Sequence, residues 1–362
     1  MPGNSIGRMF VVTLFGESHG TCVGCLIDGC PSGLEMKEDE IQEFVDKRQL
    51  NVIGTARREP DKVEVLSGVF RGFSTGAPIC MMIWNKDIDS TSYEEIRETP
   101  RPGHADYAAH ARYGGFNDYR GGGMFSGRIT AGLVAAGGIA KLLLKMIGVE
   151  VHAHTVRIGS VSFDGGVSTG DLELAYDSIV RCVDPKISEK MVEEVRRAEE
   201  EGDSVGGIVE AIATGIQPGV GDPIFESLDS ELAKALMSIP AVKGVEFGEG
   251  FGVAGLRGSE NNDQYGIVGG KVLPLTNRAG GILGGLSTGM PIVVRAAFKP
   301  TPSIKREQRS VDLRSGREVV MKLKGRFDPC VVPRAVPVVE SMCSLVLVDQ
   351  CIRGGLITKV LR

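Results

Sequence analysis

The sequence predicts an α+β fold in one compact domain, residues 1–362, built from two related β-rich halves. Three observations carry this. Strand-like and helix-like segments mix without the strict βαβ alternation of a doubly wound parallel sheet. The stretch Gly72-Phe-Ser-Thr-Gly-Ala-Pro-Ile79 returns as Gly285-Leu-Ser-Thr-Gly-Met-Pro-Ile292, and Gly29-Cys-Pro-Ser-Gly33 is echoed by Gly215-Ile-Gln-Pro-Gly219, as matching turns feeding matching strands would require. No Pro/Ser-rich linker separates the halves, and 362 residues can bury one large core.

In chain order, apolar β-branched runs predict strands at Met9–Leu14, Cys22–Ile27, Val63–Val69, Pro78–Trp84, Gly207–Ile212, Val245–Phe247 and Pro291–Phe298. Helical spacing predicts helices at Lys37–Arg48, Ile129–Ile147, Ser188–Glu201, Asp229–Met237 and Ala335–Cys351. The longest apolar stretch, Gly132 to Ile147, is interrupted by Lys141 and Lys145 and falls short of a membrane span. Ser188–Glu201 is rich in both charge signs and reads as a helix with a solvated face.

A net charge of −5 with no basic tail or stripe argues against nucleic acid as a partner. Any anionic ligand must therefore meet locally placed arginines. The N-terminus lacks the apolar core of a secretory signal, and eight irregularly spaced cysteines suit reduced thiols in a cytoplasm. Glycine is the anomaly: 50 of 362 residues, about twice the usual ~7%. With no collagen period, the glycines must serve tight turns and close backbone approach.

Residues 15–20 read F-G-E-S-H-G, which satisfies the G-x-S-x-G pattern of a hydrolase nucleophile at Ser18. The rest of the chain weakens that reading. A hydrolase elbow is followed by an acid and then a histidine, yet His19, His104, His110, His152 and His154 all lie before residue 155. His19 with Cys22, Cys25 and Cys30 has spacing that suits a metal, but the thiols fall in or beside an apolar strand, where cysteine behaves as a small buried hydrophobe.

Residues 100–130 are richer. Arg101-Pro-Gly-His104 puts a guanidinium and an imidazole on a stiff loop. Arg120-Gly-Gly-Gly123 then precedes Ser126, Gly127 and Arg128 at a helix start, where exposed backbone N–H groups suit an anion. No Walker or Rossmann pattern accompanies it. His110 reads as an ordinary residue of a short helix. Downstream, Gly280–Gly289 is a second glycine-dense turn region, Lys299-Pro-Thr-Pro-Ser303 a rigid strand end, and Arg326 and Asp328 stand two apart in an extended loop, able to face one pocket.

Taken together and in this order, these segments resemble the chorismate synthase family over nearly the whole chain. The matching pieces include G-N-S-I-G-R-M-F, F-G-E-S-H-G, R-R-E-P-D-K-V, R-P-G-H-A-D-Y, R-G-G-G, E-G-D-S-V-G-G, A-G-G-I-L-G-G-L-S-T-G, K-P-T-P-S and G-R-F-D-P-C-V-V-P-R. The resemblance implies a β-α-β sandwich, assembled as a homotetramer. It implies a lyase that converts 5-enolpyruvylshikimate 3-phosphate to chorismate by 1,4-anti elimination of phosphate, with reduced FMN as cofactor and NADPH as an indirect reductant. With no added domain for flavin reduction, a separate flavin reductase is the expected supplier. A membrane is not expected as a partner.

By the same resemblance, His19 lies near the leaving phosphate, His104 near the flavin ring, and Asp328 assists loss of the ring proton. Ser18, Arg48, Arg101, Arg128 and Arg326 match positions that line the substrate cleft, where planar guanidinium forks grip oxyanions. Met124, Phe125, Ser126, Pro240, Ala241, Gly284, Lys299, Pro300, Thr301, Pro302, Ser303 and Arg326 match flavin positions. Two departures stand out. Met124-Phe-Ser-Gly-Arg128 replaces the family's R-S-S-A-R, and Gly54 stands where many members carry an arginine, so that phosphate affinity is expected to lean on Arg57 or Arg58.

Overall fold

The computed structural model describes residues 3–49, 60–86, 90–94, 96–323, 325 and 327–361. Its first long strand, β1 (Val11–Gly16), starts later than the apolar run predicts. The reason is that the backbone N–H groups of Arg8, Met9 and Phe10 all donate to Asp349 Oδ1, at 2.9, 2.7 and 2.8 Å. Strand β2 (Cys22–Asp28) follows, then helix α1 (Glu38–Asp46), β3 (Val63–Ser67), β4 (Ile79–Trp84) and the long helix α2 (Thr130–Met146). β3 stops short of Val69 because Gly68 turns the chain at φ 83°.

The second half repeats this order. β5 (Glu150–Ile158) is followed by helix α3 (Pro185–Glu200), an insertion without a counterpart, then β6 (Gly207–Thr214), α4 (Leu228–Met237), β7 (Val242–Phe247), β8 (Ile292–Phe298) and α5 (Val332–Arg353). Proline fixes two of the strand starts. Pro78 and Pro291 have no N–H to donate, and β4 and β8 begin at the next residue.

Two five-stranded antiparallel sheets result. The first runs Ser5–Ile6, β1, β2, β4, β3; the second runs β7, β8, β6, β5, Val161–Ser162. Side chains alternate as a half-buried sheet demands: Ile79, Met81 and Ile83 of β4 and Ile292, Val294, Ala296 and Phe298 of β8 face inward. α1 and α2 cover the first sheet, α4 and α5 the second, and α2 packs on α5 between them. This is the β-α-β sandwich expected above.

The echoed turns are equivalent down to single hydrogen bonds. Ser74 Oγ accepts from Leu34 N at 2.9 Å and donates to Pro31 O at 2.6 Å. Ser287 Oγ accepts from Val220 N at 2.9 Å and donates to Gln217 O at 2.6 Å. Each serine closes a short hairpin (residues 69–74 and 282–287) onto the turn that leaves β2 or β6.

Gly137 permits the close crossing of α2 and α5, since a Cβ there would lie 2.2 Å from Ser341 Cβ. Lys141, the interruption in the apolar run, pairs with buried Glu340 of α5. Burial would push the Glu340 carboxyl up, but Lys141 and Lys47 outweigh it and keep the group ionised. Gly127–Met146 and Val332–Arg353 are in fact long and apolar enough to cross a membrane, contrary to the length reading above, but 72% and 94% of those stretches lie buried inside the protein. α3 has the solvated face read from the sequence and buries Met191, Val192, Val195 and Ala198 on the other.

Candidate active site

The site lies at one end of both sheets, where β1 and β4 stop, β2 begins, and β8 runs out into Lys299–Ser303. Loop 17–20 leaves β1 with Ser18 buried and is held by Asn85, whose side-chain amide donates to Glu17 O at 3.0 Å and Gly20 O at 2.9 Å. His19 Nδ1 is 2.9 Å from Ser90 Oγ, and its ring stands edge-on to Tyr93 with centroids 5.1 Å apart. The Tyr93 face carries Arg101, with Cζ 5.6 Å from the ring centroid. One aromatic ring therefore links the histidine of the first motif to the arginine of the second.

Residues 120–125 form a short turn of 3₁₀ character in which Gly121, Gly122 and Gly123 all have positive φ. A Cβ on Gly121 would lie 2.3 Å from His19 Cδ2 and 2.8 Å from Ser18 Oγ. A Cβ on Gly122 would lie 3.0 Å from His104 Cε1 and Nε2. Only glycine allows both the backbone sign and the approach. The turn thus packs against His19 at Gly121 and against His104 at the next residue, Gly122.

Arg101 and His104 share one carboxylate. Asp106 Oδ2 accepts from Arg101 N at 3.0 Å and Nε at 2.7 Å; Oδ1 accepts from the Arg101 terminal nitrogen at 2.9 Å and from His104 Nδ1 at 2.5 Å. Burial pushes the Asp106 carboxyl up, but the His104 and Arg101 hydrogen bonds override it and hold the group well below the usual carboxylate range.

The Arg101 loop is also fastened to the second half. Lys299 Nζ donates to Gly103 O, Arg101 reaches Ser303 Oγ at 3.4 Å, and Ser310 Oγ donates to Pro100 O at 2.5 Å. Lys299 N donates to Ala241 O at 2.9 Å, which brings the Pro240-Ala241 pair beside the strand end. Burial, and then the neighbouring Lys243 ammonium, push the Lys299 pKa down. Thr301 Oγ1 donates to Asp328 O at 2.6 Å, and the Asp328 carboxylate lies 3.7 Å from Arg334.

Arg48 and Arg128 form a deeper layer around Asp61. Arg48 donates to Asp61 Oδ2 at 2.8 Å and to Thr130 Oγ1 at 3.1 Å; Arg128 donates to Asp61 Oδ1 and, at 2.9 Å, to Asn85 Oδ1. All three charged groups are buried, and the two guanidiniums share the Asp61 carboxylate. Ser126 Oγ caps the start of this segment by accepting from Arg128 N at 3.3 Å. Met124 and Phe125 are partly exposed, with Phe125 against Tyr113.

The structure thus brings together Ser18, His19, Arg101, His104, Lys299, Thr301, Ser303, Ala241 and Asp328, with Arg48 and Arg128 joined to them through Asn85. Gly284 is not in this group. It turns the hairpin at the opposite end of β8, and the seven residues of that strand span about 20 Å at ~3.3 Å each. Arg326, Gly54, Arg57 and Arg58 lie outside the described residues.

The sequence profile of the chorismate synthase family matches residues 10–352. The chain is 50% identical to a chorismate synthase of Dehalococcoides mccartyi over 361 residues, 99% of each chain. It is 53% identical to one of Methanocella arvoryzae, covering 99% of this chain and 97% of the relative. A crystal structure of a chorismate synthase superposes with a TM-score of 0.78 at 30% identity, covering 96% of this chain and 93% of that one. The chain belongs to the chorismate synthase family.

Membership makes the protein a lyase of the shikimate pathway, acting on a small-molecule substrate, in a family that implies a flavin. It removes the hydrolase reading of Ser18. The geometry agrees, since His19 Nδ1 faces Ser90 Oγ and the Ser18 hydroxyl faces the Gly121 turn. His110 is a residue of the helix Asp106–Tyr113, and Cys25 and Cys30 are buried as read from the sequence, whereas Cys22 is only partly buried. The glycine turn, the cations beside it and the half-exposed Met124 and Phe125 fit a flat, anionic ring system: there is backbone where side chains would obstruct, and Lys299 where charge is needed.

Sequence reasoning missed Tyr93, Asn85, Asp61 and Asp106. Only Asp106 carries a local signal. It stands two residues after His104 and opens the helix Asp106–Tyr113, where a carboxylate suits the free N–H groups.

Proposed function

We propose that the chain converts 5-enolpyruvylshikimate 3-phosphate to chorismate and phosphate with reduced FMN. The observation that carries this is the packing of His19 against Gly121 and of His104 against the neighbouring Gly122, with Arg48, Arg101 and Arg128 buried nearby. Reduced FMN, when bound, supplies an electron to the substrate and takes it back, so that no net oxidation occurs. Ser126, Ala241 and Lys299 to Ser303 would hold it, together with Met124, Phe125, Pro240 and Arg326.

The chain's own groups then divide the work. Arg101, Arg48 and Arg128 hold the substrate's phosphate and carboxylates, offsetting the net negative charge of the protein. His19 donates a proton from Nε2 to the departing phosphate, its Nδ1 being engaged by Ser90. His104 sits beside the flavin, with its Nε2 edge toward the glycine turn. Asp328 accepts the ring proton. Ser18 orients the site beside His19.

This reading includes a single domain over residues 1–362, supported by the helical layer that the two sheets share. It also includes a homotetramer in the cytoplasm, NADPH as the ultimate reductant and a separate flavin reductase. The test is anaerobic incubation of the protein with chemically reduced FMN and the substrate, following chorismate by absorbance and phosphate by release. Equimolar chorismate and phosphate are expected. Neither product forming would overturn the reading.

A further inference from the structure

Asp106 has no assigned role, yet it is the group on which Arg101 and His104 both depend for their placement. We propose that Asp106 is a positioning residue that fixes the tautomer and orientation of His104, so that Nδ1–H points into the carboxylate and Nε2 faces the glycine turn where the reaction takes place. The proposal rests on the reading of His104 given above.

The geometry is specific. The two Asp106 oxygens are not equivalent: Oδ2 is taken by two Arg101 donors, the backbone N and Nε, while Oδ1 is shared between the Arg101 terminal nitrogen and His104 Nδ1. A carboxylate only accepts, so the nitrogen 2.5 Å away must carry its proton. The other ring nitrogen lies against Gly122, where a Cβ would sit 3.0 Å from it. A terminal nitrogen of Arg101 also lies 3.1 Å from Nδ1 and 3.4 Å from Nε2; a guanidinium only donates, so with the Nδ1 proton committed to Asp106 the ring nitrogen left to accept from it is Nε2.

The other charged groups around the loop are already engaged and do not compete for Nδ1. Lys299 bonds the Gly103 carbonyl, Arg120 pairs with Asp118 at 2.8 Å, and from the remaining elements Tyr93 presents a ring face to Arg101 and Ser303 a hydroxyl. Among the described residues, Asp106 is the acceptor that sets the imidazole.

Asp106→Asn reverses the logic without changing shape. Keeping the amide oxygen on the two Arg101 donors at the Oδ2 position turns the NH₂ toward His104 Nδ1, at the cost of the bond that Oδ1 accepts from the Arg101 terminal nitrogen. That nitrogen must then accept, and the proton moves to Nε2, the kind of tautomer inversion that disables a histidine held by a carboxylate. Asp106→Glu keeps an acceptor.

The primary test needs no flavin. Long-range ¹H–¹⁵N spectra of histidine-labelled protein, with the His104 signal identified by its loss in His104→Gln, report which nitrogen is protonated in the neutral ring. The expectation is Nδ1–H in the parent and in Asp106→Glu, and Nε2–H in Asp106→Asn. The second readout is turnover with reduced FMN supplied: Asp106→Asn should lower kcat by ~10²–10⁴, Asp106→Glu should recover part of it, and Asp106→Asn should cost less than about threefold in a His104→Ala background. An unchanged His104 tautomer in Asp106→Asn, or an equal loss with and without His104, overturns the proposal. A parent protein that makes no chorismate would count against the elimination reading instead, while the tautomer comparison would still decide the role of Asp106.

Discussion

Tyr93 stands edge-on to His19, with their ring planes at 79°, and presents its face to Arg101. The contact couples two site residues that belong to different loops and different motifs. Tyr93→Ala should leave both side chains free to move and lower kcat/KM about tenfold or more, because sub-ångström placement of reacting groups controls rate. Tyr93→Phe keeps the ring and should stay within about threefold of the parent. Steady-state kinetics of the two variants checks this, and equal losses in both would show that the ring contact is not what matters.

The glycine turn gives a second expectation. Gly121→Ala must place a methyl within 2.3 Å of His19 on a backbone at φ 59°, a conformation that costs an L-residue roughly 1–2 kcal/mol. Turnover should fall by ~10² or more, whereas Gly127→Ala, with open space at its Cβ and no positive φ, should be nearly silent. Comparable activity in the two variants would contradict the turn's assigned place.

Gly137 tests the helical layer with a diagnostic sign. Helix propensity alone predicts that Gly137→Ala stabilises by about 1 kcal/mol. The crossing with Ser341, 2.2 Å from the added Cβ, predicts the opposite: about 1–3 kcal/mol of destabilisation from overpacking, read as a lower Tm with unchanged far-UV circular dichroism.

The thiols give a pH prediction. Burial pushes Cys30, Cys330, Cys343 and Cys351 up to about 12. Native protein should therefore label only at Cys22 and Cys80, the two that are not buried, and labelling of the others should not accelerate through pH 8.5, where free thiols ionise. Because these folded-state values are raised, their contribution to stability is complete below about pH 8.5 and declines as the pH rises toward 12. Peptide mapping after iodoacetamide at pH 7 and pH 9 would show it.

Much of the architecture is legible from local pattern. The two halves can be read because one position, Ser74 or Ser287, needs a hydroxyl to close its hairpin, and the surrounding glycines and proline recur with it. β4 and β8 alternate cleanly once Pro78 and Pro291 are discounted. β5 is not legible: His152 and His154 look polar, yet His154 is 0% exposed, packed against Glu210 across the strand pair at 3.2 Å and against Phe163. His19, His104 and the arginines are read through a family likeness. Tyr93, Asn85 and Asp61 escape because nothing near them in the chain says what they touch; Asp61 meets Arg128 67 positions away.

The account turns on two imidazoles serving one reaction across a single glycine turn. The most direct measurement is anaerobic turnover of His19→Ala and His104→Ala with reduced FMN supplied in excess. The account predicts that each variant falls by ~10²–10⁴ while keeping the parent's fold by circular dichroism. Near-parental turnover in either one would contradict it.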